Sequence, residues 1–267
     1  MTVSQRPTDS RPMTTTHLLQ AATLLLAWTL PCLSAHAADT VKAGPTRVLV
    51  VTGGHGFERE PFQQMFKDNP DITFTMVDHP QAHAQFKTEA AMAYDVVVLY
   101  DMWQKIDATA KADFTQMVAS GKGVVALHHC LGGYQDWPEY EKIIGGLYLL
   151  QPRTVDGKQQ PASIYQEGLD LKVKVADAAH PVTAGVAAEF AIHDETYGKF
   201  SILPDSHPLL TCDAPSSDRV IGWCRTYGKA RVVCLQGGHD HFAYANPEFR
   251  KLLANAIRWT AETSRKP

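Results

Sequence analysis

The sequence predicts an α/β domain with a doubly wound, mainly parallel sheet and an added β-rich insertion. Continuous apolar, β-branched runs recur at Val48–Thr52, Val96–Tyr100, Gly123–Leu127 and Val232–Leu235, the pattern of strands buried on both faces. Helical-period segments separate the earlier runs and give βαβαβαβ order. Three runs also stop on glycine or histidine, at Gly53-Gly54-His55, His128-His129 and Gly237-Gly238-His239. In open parallel sheets, ligands bind outside the carboxyl ends of the strands.

The elements follow in order. Arg47 to Thr52 is the first strand, and Phe62, Met65 and Phe66 sit at helical spacing in a helix over Arg59–Asp68. Ile72–Val77 and Val96–Tyr100 are the next strands, followed by a helix over Ala108–Ser120 that Gly121 stops. The fourth strand is Gly123–Leu127, and a short helix spans Pro138–Ile144 before Gly145-Gly146. The polar stretch from Leu150 to Gln166 reads as a loop or insertion. Leu171–Val175 alternates like an antiparallel strand with one solvated face, and Phe190–His193 is a short strand. Two neighbouring strands, Arg219–Tyr227 and Lys229–Leu235, meet near Gly228, and a helix over Pro247–Glu262 closes the domain.

The first 37 residues read as a signal peptide. Arg6 and Arg11 precede an apolar segment from Leu18 to Leu33, and Ala35-His36-Ala37 has A-x-A cleavage spacing. Pro31 before Cys32 argues against a lipoprotein anchor, and the segment is short for a stable membrane span. The expected product is periplasmic or secreted, with a linker over 38–46 and one domain over 47–264. Loss of Arg6, Arg11 and Asp9 moves the formal charge from −3 to about −4. With no basic stripe, that charge excludes a nucleic-acid binder. Gly53-Gly54 lacks a G-x-G-x-x-G frame or P-loop lysine, which sets nucleotide binding aside.

With a flavodoxin-like strand order, His55, Asp101, His128-His129 and His239 converge on one crevice, with Asp194-Glu195 following the short strand at Phe190. Imidazoles with carboxylates suit Zn, Mn, Fe or Ni. The candidate ligands are His55, His128 and His239; Glu195, Asp101 and His129 are candidate acid–base groups. Tyr134 and Trp137 offer faces for a sugar ring, with packing of the short helix as the competing role. Cys130 sits where a strand–nucleophile–helix elbow would place a nucleophile, so a Cys–His hydrolase or amidase is a second reading. Its neighbours lack the elbow glycines, and a small packing residue is the alternative.

Several segments together resemble the ThuA-like, or trehalose-utilisation, family: Val51-Thr52-Gly53-Gly54-His55-Gly56-Phe57, Gly121-Lys122-Gly123-Val124-Val125-Ala126-Leu127-His128-His129, Trp137-Pro138-Glu139-Tyr140, His180-Pro181-Val182-Thr183-Ala184-Gly185, Asp194-Glu195-Thr196-Tyr197, Gly238-His239 and Ile257-Arg258-Trp259. The resemblance implies a class I glutamine amidotransferase-like fold and work on disaccharides, glycosides or their 3-keto derivatives. It also implies a sugar oxidoreductase as partner; an oligomer is compatible with it, as is a non-catalytic sugar-binding role. It carries the family's motif positions to His128, Asp194, Glu195, Tyr197 and His239, with Asp194 and Tyr197 expected to bind substrate. Leu149-Leu150-Gln151-Pro152 departs from the His-Pro pair of many members, and His129 stands where the family has a small residue.

Overall fold

The computed structural model describes residues 44–265; the expected signal peptide and residues 38–43 of the linker lie outside the described residues. The elements run β1 (Thr46–Gly53), α1 (Arg59–Lys67), β2 (Ile72–Asp78), α2 (Thr88–Ala91), β3 (Val96–Asp101), α3 (Ala108–Ala119), β4 (Gly123–Leu127), α4 (Pro138–Ile144), β5 (Gly146–Leu147), β6 (Arg153–Val155), β7 (Lys158–Gln160), β8 (Ile164–Val175), β9 (Glu189–Gly198), β10 (Ser201–Ile202), β11 (His207–Cys212), β12 (Val220–Tyr227), β13 (Ala230–Leu235), α5 (His241–Ala245) and α6 (Pro247–Ser264).

Nine strands form one sheet in the order β2-β1-β3-β4-β13-β12-β11-β8-β9. The first five are parallel, in the doubly wound order the sequence predicts, and the last four extend the sheet antiparallel. Alternate side chains of one strand serve opposite cores. Val48 and Val50 face the layer of α1, α5 and α6; Leu49 and Val51 face the layer of α3 and α4.

The insertion is more ordered than its polar composition predicts. Residues 153–160 form the β6–β7 hairpin, turning at Asp156 (φ 50°) and Gly157 (φ 74°). Two consecutive positive φ values are the type I′ geometry that Asp-Gly favours. The strand expected over Phe190–His193 continues to Gly198, so Asp194-Glu195 lie within β9 rather than after it. β11 was not expected; it carries the β8–β9 pair on the sheet. Cys130, Cys212, Cys224 and Cys234 are free and buried. Among the described residues, no helix is long and apolar enough to cross a membrane.

Candidate functional site

The parallel half supplies two imidazoles at strand ends. His128 follows β4 directly with φ 49°, a left-handed conformation that turns the chain sharply into a short helical turn. For a non-glycine residue this stores on the order of 1–3 kcal/mol of strain, a cost found mostly at functional positions. The His128 ring is oriented by its Nδ1–H, which donates to the Gln236 carbonyl at 2.8 Å. That makes Nδ1 the donor and turns Nε2 toward the site.

His239 ends the Gly237-Gly238 turn after β13. Asp194, 2% exposed, holds that turn from across the site. Its Oδ2 accepts the Gly238 N–H at 2.8 Å, and its Oδ1 accepts the N–H groups of His239 at 2.9 Å and Glu195 at 2.8 Å. Burial pushes the Asp194 carboxyl up, against the pull of His128 and these N–H donors. Gly237 makes the arrangement possible, since a Cβ there would lie 2.8 Å from Asp194 Oδ2.

The antiparallel half supplies the other wall. Side chains alternate along β9, so Glu195 and Tyr197 share the face opposite Asp194. Glu195 Oε2 lies 3.1 Å from His128 Nε2 and 3.3 Å from His239 Nδ1, and those two nitrogens are 3.2 Å apart. The Tyr197 hydroxyl lies 3.2 Å from His128 Nε2. One donor atom each from His128, Glu195 and His239 thus lie within 4.8 Å of one another. Burial works to raise the Glu195 carboxyl, but the adjoining His128 and His239 rings outweigh it and hold it at about 2. The contact with Glu195 raises His239 in return.

Glu195, Tyr197 and His239 open on a cleft of about 270 Å³, with His128 buried directly behind them. His129 and His55 line its far side, with ring centroids 4.6 Å apart. His129 Nε2–H donates to the Tyr100 carbonyl at 3.3 Å, leaving Nδ1 as its acceptor. Burial, then His128 and His55, push the His129 imidazolium well down, so the ring is neutral. Tyr148, Tyr165 and Glu167 complete the rim; sequence reasoning missed all three. Glu195 therefore takes the position in the ligand cluster expected of His55.

The structure does not bring Asp101, Tyr134 or Trp137 to the cleft. Asp101 is fully buried, its Oδ2 3.0 Å from His79 Nε2, which also lies 2.9 Å from the Tyr134 hydroxyl. His79 follows β2, so this buried group ties the ends of β2 and β3 to the segment after the histidine pair. Trp137 packs on Phe114 and Tyr140. Cys130 is 0% exposed within the α3–α4 core, and burial pushes its thiol well up. A nucleophile needs the opposite, an accessible thiol held down as thiolate, so Cys130 is a packing residue.

The sheet order and the strand-end site define an α/β protein with a doubly wound, mainly parallel sheet and an antiparallel extension. The family model described as trehalose utilisation, ThuA, matches residues 47–260, and the chain belongs to the ThuA family. A ThuA-like protein from Parabacteroides merdae superposes with a TM-score of 0.66 at 19% identity, over 81% of this chain and 90% of that one. Another from Bacteroides uniformis gives 0.61 at 20% identity, over 84% and 95%. A cytoplasmic protein from Salmonella typhimurium gives 0.53 at 13% identity, over 80% and 98%. At these identities the likeness is one of fold. No curated protein matches the sequence.

Proposed function

We propose that this chain is an exported carbohydrate-processing enzyme acting on a glycoside, disaccharide or 3-keto-sugar, with a divalent cation held by His128, Glu195 and His239. The convergence of their three donor atoms at an open cleft carries the reading. The donor set fits: two imidazole nitrogens and a carboxylate suit Zn, Mn, Fe or Ni. His128 Nε2 faces a Glu195 carboxylate oxygen at 3.1 Å, an arrangement that suits a proton or a cation between them.

When bound, such a cation polarises a sugar carbonyl or hydroxyl oxygen. Glu195, held as a carboxylate, is suited to ligation. His129 Nδ1 is the proton acceptor, because Nε2 is committed to the Tyr100 carbonyl. The Tyr197 hydroxyl donates to substrate oxygen beside His128. Tyr148 and Tyr165 offer the ring faces first expected of Tyr134 and Trp137, and exposed His55 anchors a hydroxyl at the mouth. A sugar oxidoreductase is the natural partner, since it makes the 3-keto function.

The test is elemental analysis of the purified protein beside His128→Ala and Glu195→Gln, with turnover of 3-keto-glycosides measured on each. Near-stoichiometric metal and turnover, both lost in the variants, are expected. A wild type that takes up none of the four metals would overturn the cation. Turnover that survives both substitutions would overturn the site.

A further inference from the structure

Glu167 is a cleft carboxylate outside the ligand cluster. β8 and β9 pair regularly at Gln166↔Thr196 and again at Leu169↔Asp194. Between these pairs, Glu167 and Gly168 together stand opposite the single residue Glu195, which makes a β-bulge. Gly168 has φ +70°, a conformation glycine adopts without strain. Bulges re-aim side chains, and this one brings the Glu167 carboxylate to the cleft.

The bulge also sets two carboxylates opposite each other across neighbouring strands, an arrangement that is destabilising by itself. The His239 ring lies between them: Nδ1 is 3.3 Å from Glu195 Oε2, and Nε2 is 3.4 Å from Glu167 Oε2. The His239 backbone is fixed on its own account, its N–H by Asp194 and its carbonyl by the Tyr244 hydroxyl at 3.0 Å. Neither bond decides which ring nitrogen carries the proton. To offer Nδ1 to a cation, His239 must carry that proton on Nε2, and Nε2–H needs an acceptor. The Gln236 carbonyl performs this service for His128 at Nδ1.

We infer that Glu167 is a positioning residue: it accepts the His239 Nε2–H and so aims the Nδ1 lone pair into the His128–Glu195 cluster. The inference rests on the cation reading for its purpose, while the tautomer it assigns is testable without metal. Groups that back a ligand histidine in this way are typically worth about 10–100-fold in metal affinity. Glu167 is exposed, so its substitution leaves the core intact.

The experiment compares wild type, Glu167→Ala and Glu167→Gln. Calorimetric titration with Zn²⁺ reads affinity, and long-range ¹H–¹⁵N NMR of the metal-free protein at alkaline pH reads the His239 tautomer. Expected are the Nε2–H form in wild type, its loss in Glu167→Ala with about 10–100-fold weaker zinc binding, and recovery of both in Glu167→Gln, whose amide oxygen still accepts. An unchanged tautomer in Glu167→Ala, or zinc bound as tightly as by wild type, would overturn the inference. If wild type binds no zinc, the cation reading falls, and the tautomer comparison still decides the role of Glu167.

Discussion

Asp194 is the residue whose loss should disturb the site most for its size. Its Oδ1 accepts two backbone N–H groups and its Oδ2 accepts a third, all at 2.8–2.9 Å. Asp194→Asn can keep its amide oxygen at the Oδ1 position and so retain the bonds from Glu195 and His239. Its NH₂ then faces the Gly238 N–H, donor against donor. One charge-assisted bond is lost and one buried donor is left unpaired, costing about 2 kcal/mol. Asp194→Ala strands all three donors, and the loss should reach about 4 kcal/mol or more. For a domain of this length each kcal/mol lowers Tm by about 2–4 °C. Scanning calorimetry of the metal-free proteins should therefore show a fall of about 4–8 °C for Asn and roughly twice that for Ala. An Asn variant indistinguishable from wild type, or an Ala variant no worse than Asn, would refute this account of the turn.

Three further outcomes are expected. Glu195 is lowered from an ordinary 4.5 to about 2, so its contribution is complete above about pH 4.5 and is lost as pH falls towards 2. His239, raised from 6.5 by the same contact, gives a contribution present below pH 6.5 and lost as pH rises through its elevated value. The urea-stability gap between metal-free wild type and Glu195→Gln should thus peak between these limits; a gap flat from pH 2 to 9 would refute the coupling. Asp101→Ala removes a hydrogen-bond partner of a buried histidine and should cost about 1–3 kcal/mol, while zinc uptake per folded molecule stays at the wild-type level. Lost zinc uptake with unchanged stability would return Asp101 to the site. Cys130 should resist a thiol reagent in the native protein and react in urea, and Cys130→Ala should leave zinc binding intact; rapid native labelling of Cys130 would reopen the nucleophile reading.

The parallel strands were legible because burial on both faces leaves an unbroken apolar run, as in β3 and β4. The antiparallel half was harder to read, since its cues are local and its partners remote. Asp156-Gly157 is a hairpin signal, but the flanking residues Thr154, Val155, Lys158 and Gln159 lack the apolar alternation that would have supported it. Asp194-Glu195 looked like the end of a strand because buried charge is costly; the N–H groups of Gly238 and His239, far along the chain, offset that cost. The same remoteness shaped the site. His128, Glu195, Tyr197 and His239 lie in motifs and were found. Tyr165 and Glu167 sit at or beside the polar stretch read as insertion; pairing with Tyr197 brings Tyr165 to the cleft, and the bulge brings Glu167. Asp101 was assigned to the crevice from its place at the end of a strand and Tyr134 from its place after the histidine pair; their buried partner, His79, follows a strand with no glycine signal.

The β8–β9 pair forms one jaw of the cleft. It joins the rest of the sheet through β11 along Leu210–Cys212 alone, yet carries Tyr165, Glu167, Glu195 and Tyr197 across to histidines rooted in the parallel strands. The two walls of the cleft therefore come from different halves of one sheet, already tied together where Asp194 holds the Gly238 and His239 N–H groups. Anything gripped by His128, Glu195 and His239 together adds a second staple between the parallel and antiparallel halves, beside the one Asp194 makes.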